Sequence, residues 1–202
     1  MASCNKIPDD FDEPTHRPII ISGPSGVGKS TLCRKLQEAH PDTFYMAVSF
    51  TTRKPRLGEV TSNAYDFIPV DAFKNLIRLG AFIEHTEFNG NLYGTAWNEV
   101  RYMTVGSKIP LLDIEMEGIK QIKKTQLEAR FVFISPPSLE VLEKQLRGRG
   151  TEDDESIRRR LARAKDEMDF AATGVHDMII INDDVEVAFK QLEEFCLAEY
   201  SE

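Results

Sequence analysis

The sequence has few cysteines, no long apolar run and no excess of positive charge, and each shortage excludes a class of protein. Its three cysteines, Cys4, Cys33 and Cys196, lack the paired spacing of zinc sites and disulfide frameworks. No apolar run approaches the ~18 residues of a membrane span, and the N-terminus lacks the apolar core of a secretory signal. We therefore expect a cytoplasmic protein with no membrane contact.

Charge also limits the partners. The chain has 25 basic and 33 acidic residues and a net charge of −8, so its surface as a whole repels nucleic acid. Binding of phosphate groups must then depend on local basic clusters, and two stand out: Arg53-Lys54-Pro55-Arg56 and the run from Arg147 to Arg163. By itself, each cluster is typical of a solvated charged face. We expect no nucleic-acid partner.

The clearest motif is a glycine-rich loop after the apolar run Ile19-Ile20-Ile21. Glycines let successive N–H groups point inward, and a helix that begins near Gly28 adds its positive end. In loops of the form G-x-x-x-x-G-K-[ST], the lysine contacts the β- and γ-phosphates of a nucleotide and the hydroxyl binds Mg²⁺. A glycine-rich structural turn is the alternative. The residues that match are Gly23, Pro24, Ser25, Gly26, Val27, Gly28, Lys29 and Ser30.

Strand and helix patterns alternate along most of the chain, which predicts a parallel sheet covered by helices. Glycines and prolines interrupt this alternation between residues 51 and 94, which indicates an inserted lobe. The predicted strands are Ile19–Ser22, Met46–Phe50, Tyr65–Phe67, Phe82–Phe88, Ile109–Ile114, Phe131–Ile134 and Met178–Ile181. Helices are predicted over about 28–40, 71–79, 96–105 and 117–124, after Ser138, and over about 157–168 and 185–196.

The predicted fold class is therefore α/β: a phosphate-loop parallel sheet flanked by helices, with an inserted small mixed lobe and a mobile lid. Residues 1–17 are predicted to be a mobile extension and residues 18–200 a single domain. The expected core comprises residues 18–48, 96–147 and 156–200, the lobe about 49–95 and the lid about 148–155.

Helical spacing predicts which side chains face inward on the last two helices. The apolar stripe through Ile157 and Ala164 places Arg160 best to face a cleft and directs Arg163 outward. The same reasoning predicts that the final helix buries Val185.

The loop alone fits ATPases, GTPases and small-molecule kinases. The chain has no Asn-Lys-x-Asp segment of the kind that reads guanine in GTPases. Its other segments resemble a guanylate kinase, and they occur in the family's order over residues 17–200. These segments are Ser49–Glu59, Asp66-Phe67, Phe82–Glu84, Asn91–Gly94, Leu112–Ile114, Arg147–Arg149 and Ile181–Asp184.

The resemblance implies transfer of the γ-phosphoryl group of ATP to GMP, giving ADP and GDP, with Mg²⁺ as cofactor. It implies a core, a GMP-binding lobe and a lid, and we expect a monomer whose partners are the small molecules GMP and ATP. By family position, GMP is bound by Ser49, Arg53, Arg56, Tyr65, Glu84, Tyr93, Gly94, Thr95 and Glu115. By the same comparison, ATP is bound by the loop, Thr31, Arg149 and Asn182. The residues implied in catalysis are Lys29, Arg53, Arg149 and Arg160. Ser30 and Asp113 are the implied ligands of the metal.

The chemistry of guanine independently supports Glu84. Guanine presents N1–H and N2–H₂ donors side by side, which one carboxylate accepts as a pair, while its O6 suits the hydroxyls of Ser49 and Thr95. Adenine has a lone pair at N1 and no 2-amino group, so a buried carboxylate rejects AMP. An ordinary exposed strand carboxylate is the alternative for Glu84, and a helix-capping aspartate is the alternative for Asp113.

Two positions depart from the family pattern. Glu115 replaces an expected aspartate, which keeps the carboxylate but extends its reach, and Gln145 replaces an expected lid arginine. The second change predicts weaker binding of ATP or less complete lid closure. Arg147 and Lys144 are the nearby basic residues that could compensate, although neither shares the direction of position 145 on the helix.

A domain of this kind can instead be a catalytically inactive module that binds phosphopeptides. Such modules usually have damaged phosphate loops, whereas Lys29 and Ser30 are intact here. We therefore expect an enzyme.

Overall fold

The structure is a computed structural model that describes residues 16–55, 65–88, 90–100, 108–148 and 153–198. Its strands are β1 (Ile19–Ser22), β2 (Phe44–Met46), β3 (Ser49–Thr51), β4 (Tyr65–Phe67), β5 (Phe82–Phe88), β6 (Asn91–Ala96), β7 (Ile109–Asp113), β8 (Arg130–Ser135) and β9 (Met178–Ile181). Its helices are α1 (Lys29–Ala39), α2 (Val70–Arg78), α3 (Met116–Ile122), α4 (Leu139–Gly148), α5 (Asp154–Phe170) and α6 (Val185–Leu197). Each of these helices is too short or too polar to span a membrane.

Two compact units divide the described residues. The first unit lies within 16–18 and 42–129, and the second within 19–41 and 130–198. Residues 1–15 and 149–152, which include most of the predicted extension and half of the predicted lid, lie outside the described residues. The division into core, lobe and lid stays a prediction.

Three parallel strands form the centre of the second unit, in the order β1, β8, β9. Every residue of β1 and β8 is buried, as expected for a parallel sheet covered by helices. Helix α1 packs against α6, and α4 packs against α5. The carboxyl end of β1 leads directly into the glycine-rich loop at Gly23.

A mixed sheet in the order β4, β3, β6, β5 forms much of the first unit, where β2 and β7 also pair in parallel. Strands β5 and β6 are antiparallel and reverse near Gly90, whose φ is 71°. Phe73 of α2 stacks on Phe82 of β5 with ring centroids 4.5 Å apart, and both side chains are fully buried. The same pairing sets Glu84 of β5 opposite Thr95 of β6.

Most predicted elements are confirmed, with ends that differ by up to about three residues. Of the predicted helix 96–105, residues 97–100 are helical, and 101–105 lie outside the described residues. The predicted strand Met46–Phe50 is wrong, because Ala47 and Val48 separate β2 from β3. Strand β2 pairs with β7, whereas β3 pairs with β4 and β6, so the chain changes partners at this point. There the backbone N–H of Val48 donates to the Glu99 carboxylate at 3.1 Å.

Two predictions about helix faces are also wrong. Val185 is 37% exposed because it is the first residue of α6. Arg163 does not point into solvent: its Nε donates to Oε1 of Glu167 at 3.0 Å, and Glu167 is only 6% exposed. The buried side of α5 thus contains a carboxylate, which a search for apolar periodicity does not detect.

Arg130, the first residue of β8, provides a test of the packing in the second unit. It is buried, its guanidinium donates to the backbone carbonyls of Phe195 and Cys196 at the end of α6, and it lies over the Phe195 ring at 4.1 Å. We predict that Arg130→Met lowers the free energy of unfolding by about 2 kcal/mol, because the carbonyls lose a charged donor. Urea denaturation measures this change.

The matched control is Arg34→Met, which removes an exposed guanidinium that pairs with Glu38 at 2.7 Å. Exposed pairs of this kind contribute at most about 0.5 kcal/mol. Equal losses in the two variants would contradict the structural role of Arg130.

Candidate functional site

Three glycines give the predicted phosphate loop its shape. Gly23, Gly26 and Gly28 have φ values of 137°, 99° and 100°, which residues with a side chain rarely adopt. A Cβ on Gly23 would lie 2.1 Å from the carbonyl oxygen of Ile134, and one on Gly26 would lie 2.8 Å from Cδ2 of Leu146. The loop therefore lies against β8 and α4 with no room for side chains at these positions.

Asn182, which follows β9, contacts the loop in the same unit. Its Nδ2 donates to the carbonyl oxygen of Val27 at 2.7 Å, and its backbone N–H donates to the carbonyl of Ser135 at 2.8 Å. A Cβ on Gly28 would lie 2.5 Å from the same Nδ2. Asn182 thus supports the loop backbone, and its contact with ATP stays a prediction.

Lys29 and the first turn of α1 form a group of donors suited to an anion. The Nζ of Lys29 donates to the carbonyl oxygen of Gly23 at 2.7 Å. Helix α1 begins at Lys29, and Gly28 before it has no side chain that could cap the first N–H groups. Ser30 and Thr31 are exposed on this turn. Backbone N–H groups, an ammonium and two hydroxyls are the donors expected around nucleotide phosphates.

Of the predicted lid arginines, Arg160 lies in α5 and is partly buried, whereas Arg158 and Arg159 beside it are exposed. This agrees with the predicted direction of Arg160. Two other predicted residues, Arg149 and Arg56, lie outside the described residues.

Arg147 does not take the place of the lid arginine that the family pattern has at position 145. Its guanidinium donates to Glu143 at 2.8 Å and to Asp154 at 2.5 Å. The hydrogen bond from Arg147 lowers the pKa of the Asp154 carboxyl. Gln145 itself is exposed on α4. In this structure, Arg147 therefore joins the ends of α4 and α5. Its guanidinium is paired with two carboxylates and does not supply the charge of the arginine expected at position 145.

The residues predicted to read guanine come together in the first unit. The Ser49 and Thr95 hydroxyl oxygens are 3.0 Å apart, and the Thr95 side chain and backbone both form hydrogen bonds with Glu84. Thr95 is fully buried and Glu84 is 5% exposed. A Cβ on Gly94 would lie 3.0 Å from the carbonyl oxygen of Glu84, so β6 approaches β5 closely there. The cluster combines one carboxylate with two hydroxyls, the groups that guanine requires.

Burial dominates the acidity of this carboxylate. The pKa of Glu84 is raised to about 7, chiefly because burial removes its hydration. The hydrogen bonds with Thr95 act in the opposite direction, and the negative charge of Glu115 makes a smaller contribution to the rise. Glu115 is partly buried and immediately precedes α3. The two acidic residues that sequence reasoning placed at guanine are therefore within electrostatic range of each other.

An arginine on aromatic rings forms a second cluster in the first unit. The Arg53 guanidinium lies 5.4 Å from the ring centre of Tyr65 and 5.3 Å from that of Phe67, and the rings of Tyr65 and Tyr93 are 5.9 Å apart. Burial, and then the charge of Asp113 at the end of β7, raise the pKa of the Tyr65 phenol. The phenol therefore stays protonated and can donate to a phosphate oxygen.

Sequence reasoning missed the residues that hold Arg53 in place. Oγ1 of Thr51 accepts from the Arg53 backbone N–H at 3.1 Å and donates to the Leu92 carbonyl at 3.0 Å. Oγ1 of Thr52 accepts from the Leu92 N–H at 2.9 Å. Thr51 and Thr52 belong to the family segment Ser49–Glu59, and Phe67 belongs to the segment Asp66-Phe67. Their contacts around Arg53 depend on the fold.

Comparison with known proteins distinguishes between the families that share such a loop. A family model described as guanylate kinase matches residues 15–199. The chain belongs to the guanylate kinase family. It is 46% identical over 179 residues to a guanylate kinase of Sus scrofa, an alignment that covers 88% of this chain and 90% of the relative. It is 43% identical over 184 residues to a guanylate kinase of Schizosaccharomyces pombe, with 91% of each covered.

A solved structure agrees with the sequence comparison. The crystal structure of guanylate kinase from Anaplasma phagocytophilum matches with a TM-score of 0.70 and 27% identity, over 94% of this chain and 89% of that chain. The predicted resemblance and the predicted α/β fold class are therefore confirmed.

The pKa of Glu84 predicts how this guanylate kinase binds GMP at different pH values. The predicted role of Glu84 is to pair, in its ionised form, with the guanine donors, so we expect binding to weaken as pH falls below about 7, by up to about tenfold per pH unit. Equilibrium titration with GMP between pH 5.5 and 8.5 (about the range over which Glu84 changes charge) measures this. Glu84→Gln is the control, because it cannot ionise while the phosphate of GMP titrates as before. Identical pH profiles for the two proteins would contradict the prediction.

Proposed function

We propose that the two units of this guanylate kinase family member bind the two substrates of the family's reaction: GMP in the first unit and ATP in the second. The reaction transfers the γ-phosphoryl group of ATP to GMP and yields ADP and GDP. The observation that supports this proposal most strongly is the buried carboxylate of Glu84 beside the hydroxyls of Ser49 and Thr95. The intact loop and relatives matched over nearly their whole length favour an enzyme over a phosphopeptide-binding module.

The acceptor nucleotide is recognised at both of its ends. Glu84 accepts from guanine N1–H and N2–H₂, and the hydroxyl of Ser49 donates toward O6. The single hydroxyl hydrogen of Thr95 is donated to Glu84, so Thr95 holds the carboxylate beside the base. The phosphate is held by Arg53, whose guanidinium is already oriented by Tyr65 and Phe67, together with Arg56, Tyr65 and Tyr93. AMP would leave the Glu84 carboxylate buried against a lone pair, which accounts for selectivity between purines.

The donor nucleotide is bound by the loop. Backbone N–H groups and Lys29 surround its phosphates, and Arg149 and Arg160 approach the transferring group from the lid. The phosphate of GMP is already a competent nucleophile, so no general base is required. Catalysis then depends on alignment of the two phosphates and on neutralisation of the charge that moves between them, while closure excludes water.

The chain also offers ligands of the type that Mg²⁺ prefers. Ser30 is exposed on the first turn of α1 and Asp113 is exposed at the end of β7. Within the described ranges, no three His, Cys, Asp or Glu side chains group into a metal site. Mg²⁺ is usually held by one or two protein oxygens, water and the phosphates of a substrate. When bound with ATP, the ion neutralises phosphate charge.

The composition of the chain supports a proposal about its cellular compartment and its partners. The chain carries a net charge of −8 and few cysteines. We infer a cytoplasmic monomer that acts on small molecules and has no nucleic-acid or membrane partner.

The test of the proposed function is a coupled assay of ADP formation with GMP, AMP, dGMP, UMP and TMP as acceptors. We expect turnover with GMP and at least about 100-fold lower kcat/KM with AMP, since AMP cannot pair with Glu84. Equal use of several nucleotides would contradict a GMP site, and no turnover with any of them would favour the binding module.

The loop can be tested separately from the GMP site. We predict that Lys29→Ala reduces kcat by about 100-fold or more, because the transferring phosphoryl group loses a fixed positive charge. Lys29 belongs to the second unit and the GMP residues to the first, so the Kd for GMP, measured by titration without ATP, should stay unchanged. Wild-type turnover in this variant would remove the loop from the mechanism.

A substitution at position 145 tests the role of the lid in ATP binding. We predict that Gln145→Arg lowers the KM for ATP by about tenfold, because it adds a charged donor for phosphate and Arg147 is already paired with Glu143 and Asp154. Steady-state kinetics with ATP varied measures this. Gln145→Lys is the control for charge alone. An unchanged KM for ATP in Gln145→Arg would show that the missing arginine has no consequence in this chain.

A further inference from the structure

A glycine of α3 lies against the carboxylate that the proposed function assigns to guanine. Gly118 is buried within α3, and its φ is not in the left-handed region. A Cβ on Gly118 would lie 2.6 Å from Cγ2 of Ile114, 2.7 Å from Oε2 of Glu84 and 3.1 Å from Cδ of Glu84. The helical backbone at this position accepts any residue, so the restriction is one of space.

The groups around that missing Cβ have little freedom to move. Ile114 is 3% exposed and Glu84 is 5% exposed, so neither side chain can turn into solvent. Thr95 forms hydrogen bonds with Glu84 through both its side chain and its backbone. A methyl group at position 118 must therefore displace the Glu84 carboxylate from its place beside Thr95, or push α3 away from β5.

The same helix also holds the strand that carries Glu84. Among the described residues, strand β5 is at one end of its sheet and pairs with β6 on one side. Nε2 of Gln121 donates to the carbonyl oxygen of His85 at 2.7 Å, and the His85 N–H donates to Oε1 of Gln121 at 3.2 Å. The carboxamide therefore pairs with both backbone groups of the residue after Glu84, as a neighbouring strand would.

We propose that Gly118 and Gln121 are positioning residues for guanine specificity: Gly118 leaves the space that the Glu84 carboxylate occupies, and Gln121 fixes the backbone from which it extends. This inference rests on the proposed role of Glu84. Neither residue needs to touch the nucleotide. Their effect is to keep one carboxylate where two adjacent guanine donors can reach it, and a displacement of about 1 Å can cost up to about 100-fold.

The first experiment measures steady-state kinetics of Gly118→Ala with each substrate varied in turn. We expect the KM for GMP to rise about 10- to 100-fold while the KM for ATP stays within about twofold of wild type. Lys120→Ala is the matched control on the same helix, because the Lys120 side chain pairs with Glu117 at the surface. It should change neither KM. Thermal unfolding of each variant shows whether the fold is retained; alanine itself favours a helix over glycine.

A double-mutant cycle tests whether Gly118 acts through Glu84. Aspartate is shorter by one methylene, so Glu84→Asp withdraws the carboxylate from position 118. We expect that adding Gly118→Ala to Glu84→Asp changes the KM for GMP by less than about threefold, because the two groups no longer compete for space. Gln121→Met removes the carboxamide but keeps an unbranched side chain. It should raise the KM for GMP by about tenfold and leave the KM for ATP unchanged.

The outcomes separate this inference from the function on which it rests. If Glu84→Gln raises the KM for GMP but folded Gly118→Ala and Gln121→Met do not, the inference is overturned and the proposed function stands. A rise in both KM values, or an equal penalty for Gly118→Ala in the wild-type and Glu84→Asp backgrounds, also overturns it. If Glu84→Gln leaves GMP kinetics unchanged, both proposals fail. If Gly118→Ala does not fold, Gln121→Met decides the matter.

Discussion

A carboxylate that is 5% exposed loses most of its hydration, and its ionised form is disfavoured unless hydrogen bonds or a ligand compensate. Glu84 is under this constraint in the first unit. The antiparallel pairing of β5 with β6 brings Thr95 to it, Ser49 extends the network through a 3.0 Å contact, and Gly118 leaves the space it fills. In the proposed function, guanine donors provide further compensation that adenine does not. The proposal therefore traces selectivity for the base to the burial that disfavours the charge in the free protein.

The second unit meets a different requirement, which is to concentrate donors on an anion. Side chains are excluded from Gly23, Gly26 and Gly28 because β8, α4 and Asn182 lie against them. Glycine, which has no Cβ, adopts the positive φ values of these three positions, and Lys29 begins the helix that follows. This arrangement recognises phosphate without distinguishing one nucleotide base from another. The proposed function therefore assigns selectivity for the acceptor base to the first unit, where a carboxylate lies beside two hydroxyls.

Local patterns in the sequence predicted the loop and the buried strands β1 and β8, because these depend on short-range geometry. The GMP residues were assigned by resemblance to guanylate kinases, and their roles stay predictions. Other features depend on contacts between distant residues. The break between β2 and β3 arises because the two strands have different partners, and the buried Glu167 depends on its pair with Arg163. Gly118 is an ordinary helix position in sequence, and only the fold brings the Glu84 carboxylate against it.

The central claim is that a buried carboxylate binds guanine in its ionised form. Calorimetric titration of GMP at about pH 7, in buffers of different ionisation enthalpy, measures the protons released on binding. Because the raised pKa leaves part of the Glu84 population protonated at this pH, the account predicts that the wild type releases a fraction of a proton more than Glu84→Gln. The phosphate of GMP contributes equally to both proteins. Equal proton release by the two proteins would contradict the claim.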